Sequence, residues 1–423
     1  MREWRTVTVD DVADDVTVGH VGPMADQYLD SGIPFLRSLS IEPFAVKHEG
    51  MKYISPEFHQ KLRKSALKPG DVVIVRTGKP GACAVIPDWL EDANCSDLVI
   101  VRCAKQIRPR FLCYVVNSTA GHHISSHTVG AVQQHFNVGS ARTLKFLLPP
   151  TQIQDAILEV LGTLDDKIEL NRQMNETLEA MARAIFKDWF VDFGPTRAKM
   201  EGRAPYLAPE IWSLFPDRVD GDGKPEGWSV RPLDQVADFL NGLALQKYPA
   251  NGGDSLPVIK IAQLRAANVA SADRASTEIP KGYIVEDGDV LFSWSGSLIH
   301  RVWTAGRGAL NQHLFKVTSE QFPKWFFFHW ITEHMPSFRA TAASKATTMG
   351  HIQRRHLTQA DTIIGTPAFM TAADEFIAPL FNRQISNDLE SRTLAATRDL
   401  LLPKLMSGEV RVKDAENLIG EVT

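Results

Sequence analysis

From Thr151 to Trp189 the apolar residues return every three or four positions, at Leu161, Leu164, Ile168, Leu178, Ala182, Ile185 and Trp189, with Asn171 and Asn175 on the same line. That spacing is the seam of an amphipathic helix packed on a partner helix. Pro149 and Pro150 bring the chain in, and Thr151 with Gln154 predicts a capping box at the helix start. Buried at the seam, the two asparagines would fix register and partner; at a wet edge they would simply be solvated, and the pattern leaves both readings open. A less regular stripe follows Pro367, through Ile377, Phe381, Ile385, Leu389, Leu394 and Leu400 to Leu402. Each helix is the natural partner of the other, and antiparallel packing as a coiled coil would relate two halves of the chain by a pseudo-two-fold axis. A helix of some 35–40 residues at about 1.5 Å per residue makes a rod of roughly 55 Å.

Ahead of each helix the period changes. Short runs of Val, Ile, Leu and Phe, broken by Gly, Pro, Asn and Asp, predict strands and turns of a mixed or mainly β domain. The second set echoes the first at an offset of about 220 residues. WRTVTVDDVADDV from Trp4 is matched by WSVRPLDQVADFL from Trp228, and IPFL from Ile33 by LPVI from Leu256. KPGDVVIVRTG from Lys68 is matched by EDGDVLFSWSG from Glu286, and TVGAVQ from Thr128 by TMGHIQ from Thr348. Four matches in one order predict an internal repeat: two similar α+β domains alternating with two long helices. The expected divisions are 1–150, a helical spacer 151–193, a Pro-, Gly- and charge-rich linker 194–227, a second domain 228–366, a second spacer 367–410 and a tail 411–423. The glycine turns at Gly70–Gly81 and Gly288–Gly296 read equally well as backbone needing unusual dihedral angles or as chain that approaches a phosphate closely.

Composition narrows the class. In 423 residues, 44% hydrophobic and 23% charged with a formal net charge of -4, nothing indicates disorder or a basic nucleic-acid coat. A weakly negative total still allows a local positive field over a DNA-binding surface. No apolar run is long enough to span a bilayer and the start lacks a secretory pattern, so no membrane association and a cytoplasmic location are expected. The four cysteines, Cys83, Cys95, Cys103 and Cys113, form no Cys-x-x-Cys pair and read as buried thiols rather than zinc ligands.

The sequence carries no recognisable catalytic motif. There is neither a base-flipping methyltransferase loop with its glycine-rich cofactor turn nor a phosphate loop for ATP. Asp165 and Asp166 stand beside Lys167 without a third acidic partner, and read as a solvated helix face rather than a magnesium site. His123 and His127 have helical spacing with His122 and His135 nearby, but lack a third ligand, and a polar DNA-facing loop accounts for them without metal. Candidate base and phosphate contacts are basic and amide side chains near turns, since arginine suits guanine, amides suit adenine and lysine neutralises phosphate. In the first copy these are Lys47, His48, Lys52, Arg76, Lys79, His122, His127, Gln133 and Gln134. In the second they are Lys260, Gln263, Arg265, Arg301, Lys345, His351, Gln353, Arg354 and Arg355.

The stretch LDDKIELNRQMNETLEAMARAIFKDWFVDFGP from Leu164 closely resembles the central helical region of type I restriction specificity subunits. GRAPYLAPEIW from Gly202 and KPEGW from Lys224 resemble that family's linker, NQHLFKV from Asn311 its second recognition domain, and RDLLLPKLMSGE from Arg398 its C-terminal helix. The resemblance implies two target recognition domains held by two helical spacers, and a split duplex DNA target with one half read by each domain. It also implies partners: two modification subunits carrying the methyltransferase, and restriction subunits carrying the nuclease and translocase. S-adenosylmethionine, ATP and magnesium would belong to those partners, with no cofactor and no catalysis in this chain. The rival reading is a helical adaptor that joins protein partners without selecting DNA. If the helices set the gap between half-sites, one heptad added within Leu161–Ile185 changes the preferred gap in the methylated sequence and leaves the half-site bases alone; an unaltered gap would defeat the ruler.

Overall fold

The computed structural model describes residues 4–126, 136–250, 252–344 and 350–415, with backbone alone at 120–126. The chain divides into two compact units, Met1–Ile168 with Thr393–Thr423, and Glu169–Arg392. The fold is α+β with two long helices, Thr151–Phe186 and Pro367–Ser407, each contributing a segment to both units.

In the first unit the Val72–Val75 strand and the first four residues of the Leu98–Cys103 strand are apolar on both faces because both faces are covered. They lie in a four-stranded antiparallel sheet ordered Ala13–Val18, Leu98–Cys103, Val72–Val75, Cys83–Val85. A second sheet runs Lys52–Ile54, Ile33–Leu36, Ala93–Cys95, Ala66–Leu67, with the middle pair parallel. An antiparallel ribbon joins Arg5–Thr8 to Lys145–Leu148. The second unit, taken by itself, repeats this plan: Asp238–Asn241, Leu314–Thr318, Val290–Ser293, His300–Val302 in one sheet. Its other sheet runs Arg274–Ser276, Ser255–Ile259, Gly308–Leu310, Ile284–Val285, again with the middle pair parallel, and its ribbon joins Ser229–Pro232 to Asp361–Ile364.

The matched glycine turns are built alike. Gly70 and Gly288 have φ of 87° and 88°, and the carboxylates of Asp71 and Asp289 accept the backbone N–H of Lys68 at 3.0 Å and Glu286 at 2.8 Å. Space around Gly70 is open, so its requirement is the left-handed backbone and not clearance.

Within the second unit the helices run antiparallel, Asn171 meeting Asn387 to Ser391 and Asn175 meeting Gln384 to Asp388. Asn171 is fully buried and donates to Glu390 at 2.8 Å; Asn387, equally buried, donates to Asn175 at 2.8 Å. The Oδ1 atoms of Asn171 and Asn387 are buried and have no hydrogen-bond partner among the described residues. Leu161 and Leu164 are buried, whereas Ile168, Asn175, Leu178 and Ile185 are half-buried, and Phe186 takes the buried place beside Ala182 and Trp189.

Three expectations change. Gln154 does not close a capping box: its carbonyl accepts the Arg108 N–H at 2.9 Å and its amide donates to Gln106 and Pro149, tying the helix start to the preceding domain. Asp165 is not solvated, because Arg398 at 2.7 Å and the Tyr114 hydroxyl both bind it, and the Arg398 guanidinium lies 4.1 Å from the Phe44 ring centre. Leu400 faces water at 62% exposed, with Leu401 and Leu402 buried instead, since the second helix turns its apolar side away from that position. The linker 194–227 is itself folded: Ile211 and Phe215 are buried in an aromatic cluster in which Trp189, Trp228 and Phe369 meet, the last two at 4.7 Å between ring centres. The cysteines are free thiols, three of them buried.

Two outcomes follow from these contacts. The orphaned amide oxygens of Asn171 and Asn387 each carry about 1–3 kcal/mol of desolvation cost. Replacing both residues with leucine therefore raises unfolding free energy by about 1 kcal/mol or more; a fall on denaturant titration would contradict the assignment. His329, 4% exposed among Phe186, Phe328 and Phe381, is pushed down to about 4 by burial and by Arg183. Its folded form is neutral, so the unfolded chain takes up the proton first as pH falls through about 6.5. Stability is lost between pH 6.5 and about 4, by about 3 kcal/mol from this group, and His329→Leu removes that share of the slope in a pH series of melting temperatures, leaving the share of His300, which burial pushes down to about 3.

Candidate nucleic-acid interface

Where the central strands of the first unit end, Val75 stands opposite Leu98. The next residues form a polar corner. Arg76 pairs with Asp97 at 3.2 Å, the Thr77 hydroxyl donates to the same carboxylate, and Ser38 reaches it at 3.4 Å. Asp97 holds a left-handed backbone, φ 55°, which a short polar side chain tolerates better than most. Phe136 donates its N–H to the Arg76 carbonyl at 3.1 Å. Arg37, beside Ser38, binds the Gly50 carbonyl at 3.3 Å, so one short helical turn ties the 47–52 loop and the Arg76 corner together.

The other candidates of this unit are dispersed around that corner. Lys47 is half-buried and paired with Glu42, which spends its charge within the protein. His48 is exposed and stacked on Trp89 at 3.9 Å. Lys52 lies 5.9 Å from the Tyr28 ring centre, on the same ring that Arg37 approaches at 5.7 Å. Lys79 is exposed in the following turn. His127, Gln133, Gln134 and the side chains of His122 and His123 lie outside the described residues, as do His135 and, in the second copy, Lys345.

In the second unit the equivalent strand end places Ser293 opposite Leu314. Trp294 follows, its indole N–H donating to Asn241 Oδ1 at 2.8 Å and to the Gln312 carbonyl at 3.1 Å. The Ser295 hydroxyl and His313 Nδ1 are 3.0 Å apart. Ile352 donates to the Trp294 carbonyl at 2.9 Å, and His351 bridges to Ser295, bringing His351 and the neighbouring Gln353 and Arg354 to this corner. Arg354 binds the Phe239 carbonyl at 3.0 Å, Gln353 donates its N–H to His356 Nδ1 at 2.9 Å and accepts the His356 N–H at its carbonyl at 2.9 Å, and Arg355 is exposed.

A cleft of about 610 Å³ adjoins the corner, lined by Arg265, Arg339, Gly296, Ser297 and Gly350 among others. Arg301 sits behind it, bound to the carbonyls of Leu264 and Arg265 at 3.2 and 3.4 Å. Lys260 is paired with Asp273 at 2.5 Å. Gln263 is buried and its carbonyl accepts the Lys260 N–H at 3.3 Å, closing the start of the Ile261–Ala266 helix; that use takes it off the candidate surface.

Residue type alone does not single out Asp97, Asn241, Trp294, His313 and Arg339. The matched motifs VRTG and SWSG did contain the signal, because they align Trp294 with Arg76. Among the described residues no group of three or more His, Cys, Asp or Glu could hold a metal ion, and no helix is long and apolar enough to cross a membrane. The corners offer hydrogen-bonding and charge, suited to binding a polar polymer.

Residues 1–180 match a family model described as the type I restriction modification DNA specificity domain. The chain is similar to the type I restriction enzyme HindI specificity subunit of Haemophilus influenzae, 25% identical over 406 residues, covering 82% of this chain and 88% of that protein. It is also similar to the type I restriction enzyme MjaIX specificity subunit of Methanocaldococcus jannaschii, 23% identical over 314 residues, covering 72% of this chain and 69% of the relative. In fold it is similar to the S subunit of a type I restriction-modification system from M. genitalium, with a TM-score of 0.50 at 12% identity, over 95% of this chain and 96% of that one.

Proposed function

Because the chain belongs to the family of type I restriction-modification specificity subunits, we propose that it supplies the DNA sequence specificity of such a complex. It binds a bipartite duplex target, each unit reading one half, and directs methylation and restriction carried out by partner subunits. Two modification subunits and the restriction subunits bring S-adenosylmethionine, ATP and magnesium, and this chain contributes recognition without catalysis in the cytoplasm.

The observation that carries the reading is the repeated plan of the two units, with the same order of strands and different polar side chains at the same strand ends. A duplicated reader with diverged contacts suits a target of two unlike halves. Exposed Arg265 beside Arg339 in the second unit can neutralise phosphates, and the amide and guanidinium groups at the corners match the edges of adenine and guanine.

Co-expression with the adjacent modification subunit, followed by single-molecule mapping of methylated bases, tests this. A split motif with a fixed gap is expected, and it disappears when this chain is omitted. An assembled, soluble complex that selects no DNA sequence would favour the protein adaptor instead.

A further inference from the structure

The two strand-end corners share a frame and differ in what they carry. Phe136 binds the Arg76 carbonyl as Ile352 binds that of Trp294. The hydroxyl of Thr77 binds Asp97 as that of Ser295 binds His313. Backbone bonds and hydroxyl partners are therefore repeated, whereas Arg76 with Asp97 is replaced by Trp294 with His313. Different presented groups on a repeated backbone frame fit the reading of two different base sequences.

Resting on the function proposed above, we propose that these corners are the base-reading centres, with Arg76 reading guanine in one half-site and Asn241 reading adenine in the other. One nitrogen of Arg76 is held by Asp97, and its Nε is buried with no hydrogen-bond partner among the described residues. The carboxylate thus orients a planar fork whose Nη donors not held by Asp97 match guanine O6 and N7, the buried Nε being out of reach of a base. Asn241 is exposed, and the Trp294 indole N–H fixes which end of its amide is oxygen. That leaves the second lone pair of Oδ1 for adenine N6 and the Nδ2 hydrogens for N7. Arg265 and Arg339, lining the adjoining cleft, take the phosphates.

The test maps methylation by the assembled complex carrying N241S or R76K. N241S is expected to lower the preference for adenine at one position about tenfold or more, with the other half-site and the gap unchanged. R76K keeps the charge beside Asp97 and loses the fork, and relaxes one guanine in the opposite half by a similar factor. N241Q and D97N, which lengthen the amide and release the arginine, serve the same purpose if either first variant fails to assemble. A wild-type split motif that all assembled variants retain unchanged, or a uniform loss of methylation at every sequence, overturns the assignment and leaves the specificity function standing. A wild-type complex without any motif overturns both.

Discussion

In the second unit the two long helices meet through amides that are only half satisfied. Asn171 and Asn387 lie 216 residues apart in the chain, are fully buried, and give away their N–H groups while their carbonyl oxygens find nothing. A sliding helix would move these groups against leucine or phenylalanine and orphan the donors as well, so the arrangement penalises every register but one. The aromatic cluster of Phe186, Trp189, Trp228 and Phe369 offsets the cost by burying large apolar surfaces around the same helices. Register, and with it the placement of the strands that pack on each helix segment, depends on that polar contact.

The first unit uses a different device for the same need. Arg398 reaches from the second helix to Asp165 of the first, and its guanidinium rests on Phe44 of the domain. One residue thereby joins both helices and the sheet domain within that unit. Gln154 does related work at the helix start, where it binds three backbone groups of the preceding segments. Polar side chains that would be decorative on an isolated helix become the joints between helix and domain.

Charge is distributed in a way that a total cannot express. The net charge of -4 includes lysines already spent on neighbours, Lys47 on Glu42 and Lys260 on Asp273. Arg265 is exposed and shares its cleft with Arg339. The field felt by a phosphate depends on such unspent groups and their spacing, so a mildly acidic chain can present a positive surface. The corners themselves lie at strand ends, where a change of side chain disturbs little packing; Val75, Leu98 and Leu314, one or two residues away, are completely buried and admit no such freedom.

Much of the architecture was legible in the residues alone. Period and repetition depend on local geometry, so the two long helices, the duplicated α+β plan and the Gly-Asp turns could be read from spacing. The candidate surface was legible only in part: the chemistry of Arg76 and His351 marks them in the sequence, whereas Asn241, Trp294 and His313 come together only where the ends of three separated strands meet. Gln263 and Asp165 show the converse, since an amide and a carboxylate read as surface groups were drawn into caps and ion pairs by partners 3 and 233 residues away. The sequence by itself determined which elements form, because hydrophobic period and turn chemistry act over a few residues. Tertiary structure decided which polar groups are spent and which remain to meet DNA, because a hydrogen bond requires approach within about 3 Å, and only the folded chain brings distant residues that close.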